Sequence, residues 1–365
     1  MHIAYVAIVY PLGIALLARL RAVPVRGQAS EPTVSILMPV RNGARWLRQK
    51  LQSIDALDYP PDRVEIIVVA DGCKDETAAI ARSAAIKAPI TVLELPPSGK
   101  WAALNEAMAA ASGEMLLFTD VRQLIEPAAL RRLVECLADP DVGAASGELV
   151  IGTGRGAEER SSGLYWTYEK WIRKNQSLLW TMPGATGAIY AMRRESVKPM
   201  PPYCLNDDVY LPLLTALKGR RIVLEGRARA FDEPTSLSQE FARKVRTQAG
   251  VYQLVGYFPQ LLLPWNPVFF HFTSHKLGRL LMPFSLIAVF VSSGLSSHPV
   301  ARAVFAGQCI FWALAVGDVW ISDRNPVKRI SSPIRAFGTL QLAALCAVSI
   351  FVRPAKTFWS EVRKT

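Results

Sequence analysis

The feature that most constrains the fold is a short apolar run that stops at charged residues. Met115 to Phe118 is long enough for a buried strand and too short for a helix, and Asp120 and Arg122 follow almost at once. In open α/β sheets, ligands bind outside the carboxyl ends of such strands. The alternative is that Asp120 only caps a helix that begins near Pro127. The polar residues elsewhere in the chain favour the first interpretation.

Apolar strand patterns alternate with helical patterns before this run. The earlier strands are predicted at Val34 to Met38, Val64 to Val69 and Ile90 to Leu95. Strands that are apolar throughout and separated by helices form parallel sheets with both faces covered. The sequence therefore predicts an α/β fold with a mostly parallel, Rossmann-like sheet.

A polar residue follows each predicted strand. Right-handed crossovers bring these strand ends to one edge of the sheet, so we expect a shared crevice lined by Asn42, Asp71, Lys100 and Asp120. Two carboxylates and a lysine suit a nucleotide diphosphate and its divalent metal, and oxygen ligands favour Mg²⁺ or Mn²⁺. The sequence lacks the glycine-rich dinucleotide fingerprint and the Walker loop, which disfavours dehydrogenase and NTPase functions.

Both ends of the chain are more apolar than those of an ordinary soluble enzyme. Hydrophobic residues make up 51% of the 365 residues. We predict an N-terminal transmembrane anchor over residues 1–21 and C-terminal transmembrane helices over residues 277–352. The candidate spans in the second region are Leu277 to Ser293, Val300 to Ile321 and Ile334 to Val352.

The charges flanking these segments predict their orientation. Arg19, Arg21 and Arg26 follow the anchor and place residues 33–250 in the cytoplasm by the positive-inside rule. Residues 251–276, rich in proline and aromatic residues, are predicted to be an interfacial segment. Three further spans would place the basic tail, residues 353–365, outside, against the same rule. Either one span is re-entrant or the interfacial segment also crosses.

The excess of basic over acidic residues in the chain indicates anionic partners. The net charge is +12, and no stretch resembles a nucleic-acid-binding module, which favours membrane lipids and a phosphate-bearing ligand. Cysteines and histidines lack metal-binding spacing, so zinc is not expected.

The stretch Gly163 to Lys174 interleaves aromatic and basic residues at helical spacing. It is either a helix in the membrane interface or an ordinary core-facing amphipathic helix.

Seven motifs occur in a fixed order between residues 33 and 360. They are Pro39-Val-Arg-Asn42, Val68-Val-Ala-Asp-Gly72, Gly99-Lys-Trp-Ala-Ala-Leu-Asn105, Phe118-Thr-Asp120, Thr186-Gly-Ala-Ile-Tyr-Ala-Met-Arg193, Leu205-Asn-Asp-Asp-Val209 and Phe241-Ala-Arg-Lys-Val-Arg-Thr247. Together they resemble the motifs of family 2 glycosyltransferases of the GT-A type. With the hydrophobic carboxyl end, the resemblance extends to the membrane-embedded branch that includes cellulose, chitin and hyaluronan synthases.

The resemblance implies a nucleotide site with a metal. Its residues would be Pro39, Asn42, Asp71, Lys100, Asp120, Arg243 and Arg246. Asp71 would contact the uridine, and Asp120 would bind the metal as the first residue of the family's Asp-x-Asp. Arg122 replaces the second aspartate of that motif, which leaves the metal one carboxylate fewer.

The resemblance also implies the catalytic groups. Asp208 matches the acidic residue that acts as general base, with Asp207 beside it. Arg243 and Arg246 fall on the Gln and Arg of the family's Gln-x-x-Arg-Trp, and Thr247 stands where the Trp would be. Sugar transfer requires both kinds of group. A base takes the proton of the acceptor hydroxyl, and cations stabilise the departing diphosphate.

The implied protein is a multi-pass inner-membrane (bacterial-type plasma membrane) enzyme with a cytoplasmic GT-A domain. It would be an inverting glycosyltransferase that moves a sugar from a nucleotide donor, expected to be UDP-linked, to a glycan or lipid-linked acceptor in cell-surface or exopolysaccharide synthesis. Homo-oligomers or polysaccharide-export partners are possible associates. One alternative is single addition to a polyprenyl-phosphate carrier, and another is a non-catalytic membrane subunit that binds a nucleotide or glycan.

Overall fold

The computed structural model describes residues 1–152, 157–233, 237–322 and 325–364. Within them, eight strands form one sheet: β1 (Val34–Val40), β2 (Val64–Asp71), β3 (Ile90–Leu95), β4 (Met115–Thr119), β5 (Leu124–Ile125), β6 (Val142–Ile151), β7 (Ile189–Arg193) and β8 (Arg221–Asp232). The main helices are α1 (His2–Arg21), α2 (Ala44–Asp55), α3 (Thr77–Arg82), α4 (Lys100–Ala110), α5 (Ala129–Leu137), α6 (Ala157–Leu179), α7 (Asp207–Ala216), α8 (Leu237–Tyr257), α9 (Phe269–Leu295), α10 (Pro299–Trp320), α11 (Lys328–Phe351) and α12 (Ala355–Lys364).

The sheet is mixed, with more parallel than antiparallel pairings among the described strands. Its order is β3-β2-β1-β4-β7-β6-β8-β5. Strands β1 to β4 are parallel to one another, as predicted. Strand β7 runs antiparallel to both β4 and β6, and β8 is parallel to β6. The predicted α/β, Rossmann-like class is confirmed, and the strand patterns missed β5 and β7, the two strands that run against the others.

Both faces of the sheet are buried, which explains why its strands are apolar throughout. Ile36 and Leu37 are successive residues of β1, point to opposite faces and are both fully buried. Ile36 belongs to a core with residues of α2 and α5 such as Leu51 and Leu130. Leu37 packs on the other face with residues of α4 and α7 such as Leu104 and Leu211. The three layers hold the carboxyl ends of β1, β2 and β4 at one edge.

Strands β1 and β2 extend two residues further than predicted. Pro39 and Asp71 therefore lie within the last residues of their strands, in register with Val69 and Leu95. The patterns end early because a proline and a carboxylate interrupt the apolar runs.

Four helices, α1, α9, α10 and α11, are long and apolar enough to cross a membrane. Helix α9 begins at Phe269, inside the segment predicted to be interfacial, and α8 reaches Tyr257. The prolines of that segment lie between the two helices, around a 3₁₀ turn at Pro259–Leu262. The interfacial assignment itself remains a prediction.

Helix α6 joins the N-terminal helix to the sheet. Ile172 is buried with Tyr10 and Ile14 of α1, and the Tyr168 hydroxyl donates a hydrogen bond to the Ala7 carbonyl at 2.9 Å. The described part of the aromatic and basic stretch thus packs against α1, and its place in the membrane interface or in the core stays a prediction.

The basic tail lies against the sheet domain. Phe358 of α12 is buried in a cluster with Leu205, Val245 and Ala249, to which α11 contributes Ala343 and Ala347. Helix α11 also packs on α6 and α8, where its small side chains allow close approach. The tail therefore contacts the sheet domain, whereas three full spans between them would place the two on opposite sides of a membrane. The number of spans stays a prediction.

Removing the Phe358 ring should release the C-terminal helix. Phe358→Ala leaves a cavity, which typically costs about 3–5 kcal/mol for a buried phenylalanine. We expect faster amide hydrogen exchange across α12 in detergent-solubilised protein. Lys356→Ala, an exposed change on the same helix, is the control. Unchanged exchange in Phe358→Ala would contradict the docking of the tail.

Candidate active site

A lysine between two carboxylates forms the centre of the candidate site. Lys100 is the first residue of α4, after Gly99, whose φ of 100° favours glycine. Its Nζ lies 3.0 Å from Asp120 Oδ1 and 3.1 Å from Asp207 Oδ2. Asp120 follows β4 and Asp207 begins α7, so the site joins the ends of three elements.

The charges of this trio depend on one another. Burial opposes the charge of the Lys100 ammonium, but Asp120 and Asp207 outweigh it and raise the pKa of Lys100. Burial raises the pKa of Asp207, as do Asp208 and Asp120, against the lowering effect of Lys100. The Asp120 side chain is 39% exposed, which leaves it open to a ligand.

Asp71 stabilises the loop that leads to Lys100. Its carboxylate accepts hydrogen bonds from the Ser98 and Gly99 amides at 2.6 and 2.9 Å, and Arg41 Nη1 lies 3.6 Å away. Asn42 has a positive φ of 51°, and its side-chain oxygen accepts from the Lys74 amide at 2.8 Å. Both residues thus have structural partners, and their contact with a nucleotide remains a prediction, as does that of Pro39.

Asp208 lies next to Asp207 but has different partners. Its Oδ2 accepts a hydrogen bond from the Gly187 amide at 3.1 Å. The positive end of the α7 dipole further favours a carboxylate in this first turn. A side chain on Gly187 would come within 3.3 Å of Asp208 Oδ2, so glycine keeps this carboxylate accessible.

The two predicted arginines of α8 have separate environments. Arg243 is paired with Glu240, 3.0 Å from Nε to Oε2, and within the described part of the chain none of its hydrogen bonds reaches Lys100, Asp120 or Asp207. Arg246 is closer to the site, because its Nη1 donates to the Leu205 carbonyl at 3.0 Å, just before Asp207. Burial lowers the pKa of Arg246, although Asp207 and Asp208 oppose this.

An aromatic residue that sequence reasoning missed covers Arg246. The ring centre of Trp359, in α12, lies 4.0 Å from the Arg246 Cζ, and its indole donates to the Cys204 carbonyl at 3.4 Å. Thr247 is exposed, and among the described residues its hydroxyl bonds only back to the Arg243 carbonyl. The aromatic neighbour of the arginine thus comes from a distant part of the chain.

Arg122, which replaces the second aspartate, is neutralised by an ion pair. Its Nη2 lies 2.8 Å from Asp232 Oδ1 at the end of β8, and Gln123 Nε2 donates to Asp232 Oδ2 at 2.6 Å. Beneath this turn, the buried Lys50 donates to Thr119 Oγ1 at 2.6 Å and to the Gln123 carbonyl at 2.5 Å. Burial lowers the pKa of Lys50 to about 7, against the influence of Asp120.

The oxygen ligands at this edge fit a divalent metal only with help from a substrate. No group of three histidine, cysteine, aspartate or glutamate side chains gathers as a metal site within the described residues. Asp120 is a partly exposed carboxylate, and Mg²⁺ commonly takes one or two carboxylates and completes its shell with phosphates and water. The site therefore suits a metal that arrives with a diphosphate.

The sheet holds these strand-end groups at one edge, and comparison with known proteins shows what the chain is similar to. Residues 35–200 match the model of the glycosyl transferase family 2. The probable glycosyltransferase YdaM of Bacillus subtilis is 30% identical over 220 residues, which are 57% of this chain and 51% of that protein.

Two further relatives extend the comparison. The beta-monoglucosyldiacylglycerol synthase of Synechocystis is 31% identical over 117 residues, 31% of this chain and 24% of that protein. The chain spans about half or less of the curated relatives it matches. The structure of the mannosyltransferase PcManGT of Pyrobaculum calidifontis, with GDP-Man and Mn²⁺, has a TM-score of 0.76 at 22% identity and covers 96% of this chain and 95% of that chain. At that identity the likeness establishes the fold.

We expect Asp120→Ala to abolish metal-dependent binding of UDP. No second carboxylate follows Asp120 in its motif, since Arg122 is committed to Asp232. Titration calorimetry with UDP and Mn²⁺ measures this, with the exposed Asp62→Ala as control. Unchanged affinity would mean that Asp120 is only a partner of Lys100.

Proposed function

We propose that this protein is an inverting glycosyltransferase that uses a nucleotide-sugar donor with a divalent metal. The observation that carries the proposal is the Lys100 ammonium between Asp120 and Asp207, with Asp208 next in the same helix. The site would thus offer a cation for a diphosphate and a carboxylate for an acceptor. The family 2 domain and the glycosyltransferase relatives support the same activity.

The donor would lie over the carboxyl ends of β1, β2 and β4. Asp71 would contact the base, which we expect to be uracil, and Lys100 and Arg246 would stabilise negative charge on the departing diphosphate. A metal bound at Asp120 would supply further charge neutralisation, as Mn²⁺ in the GDP-Man complex of the Pyrobaculum mannosyltransferase suggests. Arg243 is a weaker candidate, because Glu240 already neutralises it.

Asp208 is the proposed base. Asp207 is tied to Lys100 on the donor side, whereas the described partner of the Asp208 carboxylate is an uncharged amide. A base must reach the acceptor hydroxyl in order to remove its proton as the new bond forms. Direct displacement at the anomeric carbon then inverts its configuration without a covalent intermediate.

The proposed setting is the inner face of a bacterial-type plasma membrane. Helix α1 would cross once, and α9 and α10 would cross as a hairpin. Only 6% of the apolar 18-residue stretch of α10 is buried by other parts of the protein, which suits a helix surrounded by lipid. Helix α11 would lie along the domain, which returns the tail to the cytoplasm as the positive-inside rule requires. The acceptor would then be a membrane-associated glycan or lipid.

Loss of the base should stop transfer and leave donor binding. We expect Asp208→Asn to lower the transfer rate about 10²–10⁴-fold, with UDP affinity nearly unchanged, because the lost interaction belongs to the transition state. Asp207→Asn is the matched comparison and should weaken UDP binding as well, through Lys100. If the transfer rate of Asp208→Asn stays within a few fold of the wild-type rate, Asp208 is not the base, and Asp207 becomes the next candidate.

We also expect short products or single additions. The position that carries an aromatic platform in processive synthases is Thr247 here, and Trp359 is already engaged with Arg246. A growing end without a stacking surface dissociates after each addition. Sizing the products of a labelled donor tests this. Long polymer made by the purified chain while most acceptor is unextended would refute it.

A further inference from the structure

We propose that Trp359 is a positioning residue for the donor diphosphate, because its indole ring holds the Arg246 guanidinium in place. This inference rests on the proposed transferase function, in which Arg246 stabilises the departing diphosphate. It adds a residue of the C-terminal helix to that site. Trp359 lies in α12 and Arg246 in α8, so the pair joins two helices that are distant in the sequence.

The Arg246 guanidinium has few polar partners. Within the described residues its one hydrogen bond goes from Nη1 to the Leu205 carbonyl at 3.0 Å, and its Nε is buried without a partner. A guanidinium carries five N–H donors in one plane, so this contact leaves most of them available. One hydrogen bond to a carbonyl also leaves a long side chain free to turn about that bond.

The Trp359 ring supplies the constraint that the hydrogen bond lacks. Its centre lies 4.0 Å from Arg246 Cζ, within the range of a cation–π contact. The ring binds the face of the guanidinium, whereas the N–H groups point outward in its plane. The stack therefore fixes the side chain and leaves its donors free for an anion. A side chain that is ordered before the ligand arrives lowers the entropic cost of binding.

Trp359 is itself held firmly on the sheet domain. The preceding residue, Phe358, is buried in a cluster with Leu205 and Val245. The Trp359 Nε1 donates to the Cys204 carbonyl at 3.4 Å, and α12 packs on α8. The ring is therefore a fixed support for the guanidinium.

The loop that leads to α7 has stronger supports than the indole N–H group. The Leu205 amide donates to Gln253 Oε1, and the Asn206 side chain donates to the Thr247 carbonyl, both at 2.9 Å. The longer bond from the indole adds little to these two. The ring face of Trp359, and not its N–H group, is therefore what the site requires.

The connections of Arg246 suit a contact with phosphate. Arg246 binds the carbonyl two residues before Asp207, and Asp207 contacts Lys100 at 3.1 Å. Asp71, the expected contact of the base, is instead connected through the loop before Lys100. The two residues approach the site from different elements, so Arg246 would serve the diphosphate and not the base.

Loss of the ring would also give the guanidinium a competing partner. The carboxylates of Asp207 and Asp208 favour its positive charge, and a guanidinium forms strong charge-assisted hydrogen bonds with a carboxylate. Within the described residues Arg246 forms no ion pair with either of them. An arginine that turned to one of these carboxylates would have fewer donors for a diphosphate.

Two substitutions that both fill the space of the ring test the proposal. Trp359→Leu keeps an apolar side chain against α8 but has no π face, whereas Trp359→Phe keeps the face and lacks the N–H group. In titrations of the full chain in detergent with Mn²⁺, Trp359→Leu should weaken UDP binding about tenfold, the order expected for a desolvated cation–π contact. Trp359→Phe should stay within about threefold of the wild type.

Binding of UMP separates a role in positioning from a role in folding. UMP lacks the second phosphate, so its affinity should be nearly equal in the wild type and in both variants. In an Arg246→Gln background, Trp359→Leu should change UDP affinity no further, because the interaction that it supports is already absent. Lys356→Ala, exposed on the same helix, is the matched control in each titration.

Three results would overturn the proposal. A UDP affinity of Trp359→Leu within about twofold of the wild type would mean that the ring does not act on the site. Equal losses for UDP and UMP would mean that the ring only supports the fold, and a further loss in the Arg246→Gln background would mean that it acts through another group. A wild type that binds neither nucleotide would instead refute the proposed donor site, and this inference with it.

Discussion

The interaction on which the site depends is the contact of Lys100 with Asp120 and Asp207. Each partner stands at the end of a different element, and only a sheet with its strand ends at one edge brings α4, β4 and α7 together. The lysine keeps two carboxylates close that would otherwise repel, and it keeps them within reach of a diphosphate. Asp71 contributes by fixing the loop before Lys100 through two amide hydrogen bonds.

The ends of the chain stabilise the other side of this centre. The C-terminal helix reaches the start of α7 through Trp359, Arg246 and the Leu205 carbonyl. The N-terminal helix packs on α6, whose Arg173 donates hydrogen bonds to the Thr186 and Ser146 hydroxyls. The segments that look like simple membrane anchors therefore position the residues around Asp207 and Asp208.

The strand-end residues could be predicted from the sequence, because the break from apolar to polar residues is local. Asp71, Lys100 and Asp120 were found in this way, and the structure brings Lys100 and Asp120 together. The antiparallel strand β7 was missed, since strand direction depends on the connection and leaves no mark in the residue pattern. Trp359 was missed because its contact with Arg246 arises only from packing between distant segments.

The Arg122 position shows how the site tolerates losing a carboxylate. A free arginine beside Asp120 would compete with a metal for the same oxygens. Asp232 prevents this by binding Arg122 at 2.8 Å, and Gln123 and the buried Lys50 fix the turn between them. Asp120 itself remains paired with Lys100, which makes the substrate's own phosphates an essential part of any metal site here.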